Sequence, residues 1–544
     1  MSQQTLLLVE ATGIQNYIFG SNQLTQNIGA SELVQQATTD WVYKELPNPH
    51  NVVSDATEPD GWKITDQSLH NDGLLAEVVY AGGGNAMILF ASVNEAQTFT
   101  QRLTRKVLEE APGLDIVVAS QAIRSRPLKD VHQDLRQKLA LRKLDRSRSV
   151  PLLGLSVTAA CKFTGAPAVD TNDGRLISGE VRKKLDAQKL AETRLDHYLA
   201  DVKRWEGLEF LKDFNEMGEK GESSYLAVIH TDGNSMGKRI EHIGGICGDD
   251  DDVYARELRK FSASVGSAAR SALNRTVGML LDPNNLKLER GEDGRTHYVL
   301  AGKVPVPRDK EGKDRLPFRP IVFGGDDVTF VCEGRLGLEL AAKYLREFTS
   351  EILADNENTY ARAGVAIVKS HYPFSRAYDL AEELCKEAKK RIKELEEEGH
   401  PGATVMDWHF AVGGLVLPLR QVRQREYLSD EGRNLLMRPI SLDHANTTWR
   451  SWRTFTDLMQ DFQDRMPRKE RQWSDRRNKV KALRDALRAG PEAVKLFLNT
   501  TGGELLDIQR LPDMKKQGWQ GGECGYFDAV EALDFFIPLG GGVE

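Results

Sequence analysis

Arg319-Pro320-Ile321-Val322-Phe323-Gly324-Gly325-Asp326-Asp327-Val328-Thr329-Phe330-Val331-Cys332 joins two apolar, β-branched runs through a Gly-Gly turn, and two carboxylates follow that turn at once. Runs of this kind read as the arms of a β-hairpin, with the glycines making a turn that a side chain would obstruct. Carboxylates placed there are predicted to lie exposed at a rigid tip, within reach of a hard divalent cation and a polyphosphate.

Upstream, strand Tyr225–His230 ends in Thr231-Asp232-Gly233-Asn234-Ser235-Met236-Gly237-Lys238, and a helical stretch runs from about Val253 to Leu281. Downstream come helix Leu336–Leu353, strand Ala363–Val368, a helix from Phe374 to about Leu395 and a last strand Ala403–Trp408. In the Phe374 helix, Ala377, Leu380, Ala381, Leu384, Ala388 and Ile392 share one face. The order βααββαβαβ matches a ferredoxin-like palm, an antiparallel sheet with helices on one face. The N-terminal part repeats it: strand Thr5–Val9, a helical region Ile14–Leu46, hairpin Val78–Phe90, helix Glu95–Glu110 and strand Asp115–Ala119. There Gly84-Asn85 stands where the later copy has Asp326-Asp327, so the first copy is expected to keep the fold without the metal ligands.

The fold class is therefore α+β, two ferredoxin-like domains (1–150 and 224–413) with a helical linker (151–223) and a mainly helical C-terminal domain (414–544). The linker helix is predicted around Glu180–Trp205, and the polar stretch between Leu281 and Arg319 as a surface loop or ribbon. A length of 544 residues, 40% of them hydrophobic and 28% charged, gives room for several domains. The net charge of −7 argues against a general nucleic-acid coat. Five scattered cysteines without a Cys-x-x-Cys pair fit a reducing cytoplasm. No membrane-span-length apolar run and no signal-peptide pattern is found.

Joining nucleotides requires a 3′-hydroxyl to attack an α-phosphate as pyrophosphate leaves, and two Mg²⁺ or Mn²⁺ ions can hold both oxygens. Asp232 and Asp326, on neighbouring central strands, with Asp327 beside them, are the candidate catalytic and metal-binding residues. Gly324 and Gly325 would let a nucleotide approach the backbone, and the turn containing Gly233, Asn234 and Ser235 would offer N–H groups to phosphate. Lys389 is a candidate counter-charge for the β/γ-phosphates, with Lys386 and Lys390 behind it. Each has a plainer reading. Gly-Gly-Asp-Asp and Asp-Gly are common turns, a Lys-Lys-Arg run is commonly a solvated face, and His230 reads as structural. Asp249–Asp252 reads as a solvated, self-repelling loop. Arg450–Arg488 carries twelve Lys/Arg against six Asp/Glu. Its Trp452 and Trp473, with Trp449 just before it, either stack on RNA or fill a core.

Ile229–Lys238 paired with Phe323–Asp327 resembles the palm-containing large subunit of type III CRISPR complexes (Cmr-type), relatives of the Gly-Gly-Asp-Glu-Phe nucleotide cyclases. Gly13–Phe19 with Gly29–Leu33 looks like the opening of that family's first palm, Cys161–Ala168 like its zinc-binding linker, and Ala363–Lys390 like the close of its second palm. The likeness covers roughly residues 1–410. It implies synthesis of cyclic oligoadenylates from ATP in CRISPR antiviral defence, with Asp232, Asp326 and Asp327 at the metal-binding positions. It implies other type III subunits and guide or target RNA as partners. A stand-alone cyclic-dinucleotide synthase, able to self-associate, and a silent RNA-binding scaffold subunit are the alternatives.

The chain departs from that pattern in three places. Asn234 replaces the first motif's second acid. Cys161 alone remains of the cysteine cluster, with Thr164 in place of a second thiolate, so no structural zinc is expected. The sequence begins directly on the first palm strand, so an N-terminal nuclease domain and DNA cleavage through it are not expected.

Overall fold

The computed structural model describes residues 3–58, 60–145, 157–202, 207–214, 224–290, 294, 296–411, 417–442, 448–463, 473, 477–508 and 511–540. The domain boundaries drawn at 150/151, 223/224 and 413/414 lie outside the described residues, as do the Trp205 end of the linker helix and residues 464–472 of the basic segment. The chain is a mixed α/β protein. Among the described residues no helix is long and apolar enough to cross a membrane.

The first half holds β1 (Thr5–Thr12), α1 (Ile14–Phe19), α2 (Leu24–Thr38), β2 (Ala76–Gly82), β3 (Asn85–Phe90), α3 (Val93–Glu110), β4 (Asp115–Ala122) and α4 (Leu128–Leu144). Its sheet runs β2-β3-β1-β4 and all pairs are antiparallel. Linker helix α5 spans Gly179–Tyr198 and thus ends earlier than predicted. The second half holds β5 (Tyr225–Gly233), α6 (Met236–Cys247), α7 (Asp251–Leu280), β6 (Phe318–Val322), β7 (Val328–Glu333), α8 (Gly337–Thr349), β8 (Ala361–Lys369), α9 (Phe374–Glu397), β9 (Val405–Ala411) and β10 (Ile440–Ser441). Its six-stranded sheet runs β6-β7-β5-β8-β9-β10. The polar stretch before β6 is a three-stranded ribbon, Leu286–Arg290, Thr296–Leu300 and Val304–Pro305.

Two expectations about this sheet are corrected. It is not purely antiparallel, since β8 and β9 run parallel. Nor do its helices keep to one face. Successive strand residues point to opposite sides, and both sides are covered: Gly364 abuts α9 at Ala381, whereas Val365 meets α8 at Gly337. Accordingly β5 is buried on both faces, Leu226 and Val228 in one core and Ala227 and Ile229 in another. On α9, Ala377, Ala381, Leu384, Ala388 and Ile392 are buried at helical spacing, as their pattern predicts.

The halves are tied by α7. Arg259 pairs with Glu77 at 2.7 Å, both buried, and Tyr254 Oη lies 2.9 Å from His132 Nδ1. Asp249–Asp252 is not a loose loop, although burial and then the charges of Asp252, Asp250 and Asp249 do push the Asp251 carboxyl up. Asp250 caps α7 through the Val253 N–H, Asp251 accepts from the Leu128 N–H at 2.6 Å, Asp252 accepts from Asn71, and Asp249 pairs with Lys129. Acids at a helix N-terminus also meet its positive dipole end, which relieves their mutual repulsion. In the C-terminal helices Trp452 and Trp473 are buried, the latter donating to the Glu504 carbonyl, and Trp449 packs beside them. Trp452 and Trp473 serve the core, so the stacking reading fails for those two.

Candidate active site

Asp232 ends β5 and pairs in register with Arg362 of β8, while β7 flanks β5 on its other side. The β6–β7 hairpin forms as predicted, and its tip carries Gly324, Gly325, Asp326 and Asp327. Gly324 has φ +114, a conformation that side-chain-bearing residues rarely adopt. Asp326 leans over the end of β5. A Cβ added to Gly233 would stand 2.8 Å from Asp326 Cβ and 3.1 Å from its Oδ2, so the glycine makes room for the acid. The opposing hairpin closes the other side, with Gly83 Cα 3.8 Å from where a Gly325 Cβ would stand. The two glycine tips meet across the halves.

The expectation that both acids are exposed holds for only one. Asp326 is half-buried, and Asp327 keeps 55% of its side-chain surface open within a cleft walled by His230, Tyr378 and Glu382. Burial, then the charges of Asp232 and Asp327, push Asp326 up to about 7. Burial in the cleft, then Asp232 and Glu382, push Asp327 up to about 7 as well. Next to the charge of Asp232, these two carboxyls resist ionising.

His230 Nδ1 lies 3.3 Å from Asp327 Oδ1 and 3.3 Å from Thr329 Oγ1. Burial brings its pKa down to about 4, so it meets Asp327 as a neutral ring. Tyr378 of α9 packs edge-on against His230 and stacks on Phe19 of α1 at 3.8 Å. Gln15, also on α1, donates to Glu382 at 3.0 Å, and Lys386 pairs with that same carboxylate. The Gly13–Phe19 motif of the first half therefore forms a wall of the acid cluster.

The remaining predicted residues divide. Ser235 is the N-cap of α6 at φ +60. The Asn234 backbone N–H donates to the Tyr360 carbonyl at 2.8 Å, and its side chain binds Ala403 and Arg362. Lys389 is exposed on α9 and makes no contact with the acids among the described residues. Lys386, one turn earlier, is the lysine tied to Glu382 beside the cluster. Cys161 is buried, its sulfur 3.4 Å from the Phe163 N–H.

Sequence reasoning passed over Arg362. Its Nη2 donates to Asp232 Oδ2, and its Nη1 donates to the Gly233 carbonyl at 3.2 Å and to Asn234 Oδ1 at 2.7 Å. Arg362 stands just ahead of the strand predicted at Ala363–Val368, where a charge needs no partner, whereas the structure places it inside β8.

Could these residues hold a divalent ion? Among the described residues no Lys or Arg pairs with Asp326 or Asp327, and Mg²⁺ is typically held by one or two carboxylates together with substrate phosphates. Among the described residues no three His, Cys, Asp or Glu side chains are arranged to hold an ion alone. The donor set thus fits an ion that shares its ligands with a nucleotide.

Residues 225–395 match the family model for the second palm domain of Cas10/Cmr2. No curated protein matches by sequence. Among solved structures, the chain is similar to the Csm1-Csm4 cassette in complex with one ATP (14% identity, 98% of this chain and 70% of that chain covered, TM-score 0.54). It is also similar to the cassette in complex with cA4 (14%, 98% and 70%, TM-score 0.53). A third is Csm1 of T. onnurineus (16%, 98% and 70%, TM-score 0.52). At such identities the likeness is one of fold. The family match at residues 225–395, with the shared fold around it, makes this chain similar to the Cas10-type palm-domain large subunits.

Proposed function

We propose that this protein is a metal-dependent nucleotidyltransferase that joins ATP into cyclic oligoadenylates as part of a type III CRISPR effector. One observation carries this reading: the tip of the β6–β7 hairpin sets Asp326 against Gly233, the neighbour of Asp232 at the end of β5, in the part of the chain that matches a Cas10/Cmr2 second palm. The similar cassettes pair Csm1 with Csm4 in complex with ATP or cA4, which supports nucleotide substrates and a second type III subunit here. The shared strand order of the two sheets supports two ferredoxin-like domains, the first without acids at its Gly82–Asn85 hairpin. The divisions 1–150, 151–223, 224–413 and 414–544 remain our reading of the domains.

In the reaction, the 3′-oxygen forms a bond to the α-phosphorus, the bond to pyrophosphate breaks, and the hydroxyl proton leaves to water. A bound divalent cation would offset charge on the phosphates and ready the hydroxyl. Asp232 and Asp326 would hold it, His230 would orient Asp327, and Gly324 and Gly325 would leave the backbone open to the nucleotide. The absence of acids at Gly84-Asn85 assigns chemistry to one tip and support to the other.

The test is incubation of the protein with each NTP and Mg²⁺ or Mn²⁺, with and without guide and target RNA and partner subunits, with products resolved by mass. Cyclic oligoadenylates are expected from ATP alone among the NTPs. Asp326→Ala with Asp327→Ala should abolish them in a folded protein. Absence of product under every condition, or product that survives the double substitution, sinks the reading. A cyclic dinucleotide would instead identify a different synthase.

A further inference from the structure

Three oxygens on three consecutive residues converge on the guanidinium of Arg362: a carboxylate oxygen of Asp232, the backbone carbonyl of Gly233 and the side-chain carbonyl of Asn234. None of these contacts is incidental. Arg362 lies opposite Asp232 in the β5–β8 register, and its side chain is 9% exposed. Asn234 is locked in orientation, because its Nδ2 donates to the Ala403 carbonyl at 3.1 Å, which turns Oδ1 toward Arg362. A carboxylate, a backbone carbonyl and an amide oxygen are hard donors of the kind that Mg²⁺ and Mn²⁺ select. In this chain a fixed organic cation holds them.

The identity of residue 234 belongs to the same arrangement. An aspartate there would add a second negative charge to the nest and favour a divalent ion over a single guanidinium. Asparagine supplies the oxygen without the charge, which leaves Asp232 and Arg362 balanced one to one. A divalent ion brought to the same oxygens would have to displace the guanidinium or sit against it, and like charges at that range repel strongly in a half-buried setting.

We infer that Arg362 stands in for one of two divalent cations, so that this site takes a single ion with its nucleotide, held by Asp326 and the Asp232 oxygen that Arg362 leaves free. Arg362 is then a positioning residue that fixes Asp232 and supplies a permanent positive charge beneath the phosphates. This rests on the function proposed above and departs from the two-ion arrangement the sequence suggested.

The experiment counts Mn²⁺ bound to the full-length protein with a non-hydrolysable ATP analogue present, from the free-ion electron paramagnetic resonance signal. The Asp326→Ala/Asp327→Ala protein serves as background for ions held elsewhere. One ion is expected in the unsubstituted protein and in Arg362→Lys, and two in Arg362→Ser, where the oxygen nest is vacated. Two ions on the unsubstituted protein would overturn the inference and leave the acid site standing. One ion on a folded Arg362→Ser protein would overturn it as well. No ion on any form, combined with no product from any NTP, would remove the proposed activity along with it. If Arg362→Ser does not fold, the count on the unsubstituted protein still decides, because a purely structural arginine has no reason to limit it to one.

Discussion

Ionising Asp326 and Asp327 costs the folded protein more than it costs the unfolded chain. Both carboxyls stand at about 7 in the fold, against an ordinary 3.8. Below the ordinary value both are neutral in either state, and no stability depends on them. As pH rises from there toward 7, the unfolded chain gives up its protons first, so ion-free protein loses stability across this window and the loss is complete above it. Denaturant unfolding in EDTA at pH 5 and pH 8 should show lower stability at the higher pH. Asp326→Asn should flatten that difference, since the amide cannot ionise. Equal slopes for the two proteins would mean that the acids are not mutually strained. Mg²⁺ with a nucleotide should restore stability at pH 8 in the unsubstituted protein, by binding the folded state alone.

At the scale of elements, the site depends on how closely α9 lies on β8, because Tyr378, Glu382 and Lys386 reach the acids from that helix. Gly364 sets the approach. A Cβ there would stand 1.9 Å from the Ala381 carbonyl and 2.5 Å from the Cys385 nitrogen, both backbone atoms that cannot step aside individually. Gly364→Ala should therefore lift α9 off the sheet and destabilise the protein by about 1–3 kcal/mol, the usual cost of overpacking. Thermal unfolding measures this, and an unchanged midpoint would show that the helix can move freely. This contact also shows what was legible in the sequence. The 3-4 spacing on α9 marked its buried face, and the hairpin with its acids was readable to within a residue or two, but the close approach at Gly364 was not. Arg362 was not, because a strand read as beginning at Ala363 leaves the arginine in a loop, where a charge needs no partner. Only the β5–β8 register places it against Asp232. The contribution of α1 was hidden for a similar reason. Gln15 and Glu382 lie far apart in sequence, and no local pattern brings them together.

For the molecule as a whole, the question is what holds the C-terminal helices to the palm sheet, and Arg438 answers it. Its side chain is fully buried and lies over the rings of Trp408 on β9 and Tyr427. Asp528, equally buried, accepts from Arg438 Nη1 at 2.8 Å and from the backbone N–H groups of Met437 and Arg438. Glu531 takes a second bond from the guanidinium, and the Tyr427 hydroxyl donates to the same carboxylate. An arginine this deep is tolerated only because its charge is answered and its surroundings are hydrogen-bonded. Asp528→Ala removes one charge and leaves two backbone donors without acceptors, so it should cost about 3–5 kcal/mol, as breaking a buried ion pair does. The acid cluster lies toward the opposite side of the sheet order, on β5 and the β6–β7 tip, and β8 stands between it and β9. The loss should therefore fall first on the C-terminal helices. Limited proteolysis of the variant should cut after β9 and release a resistant fragment that retains the second palm, and that fragment should still bind an ATP analogue with its ion. Uniform digestion of the chain would instead mean that the helices and the palm fold as one cooperative unit, with Arg438 in the interior of it rather than at a joint.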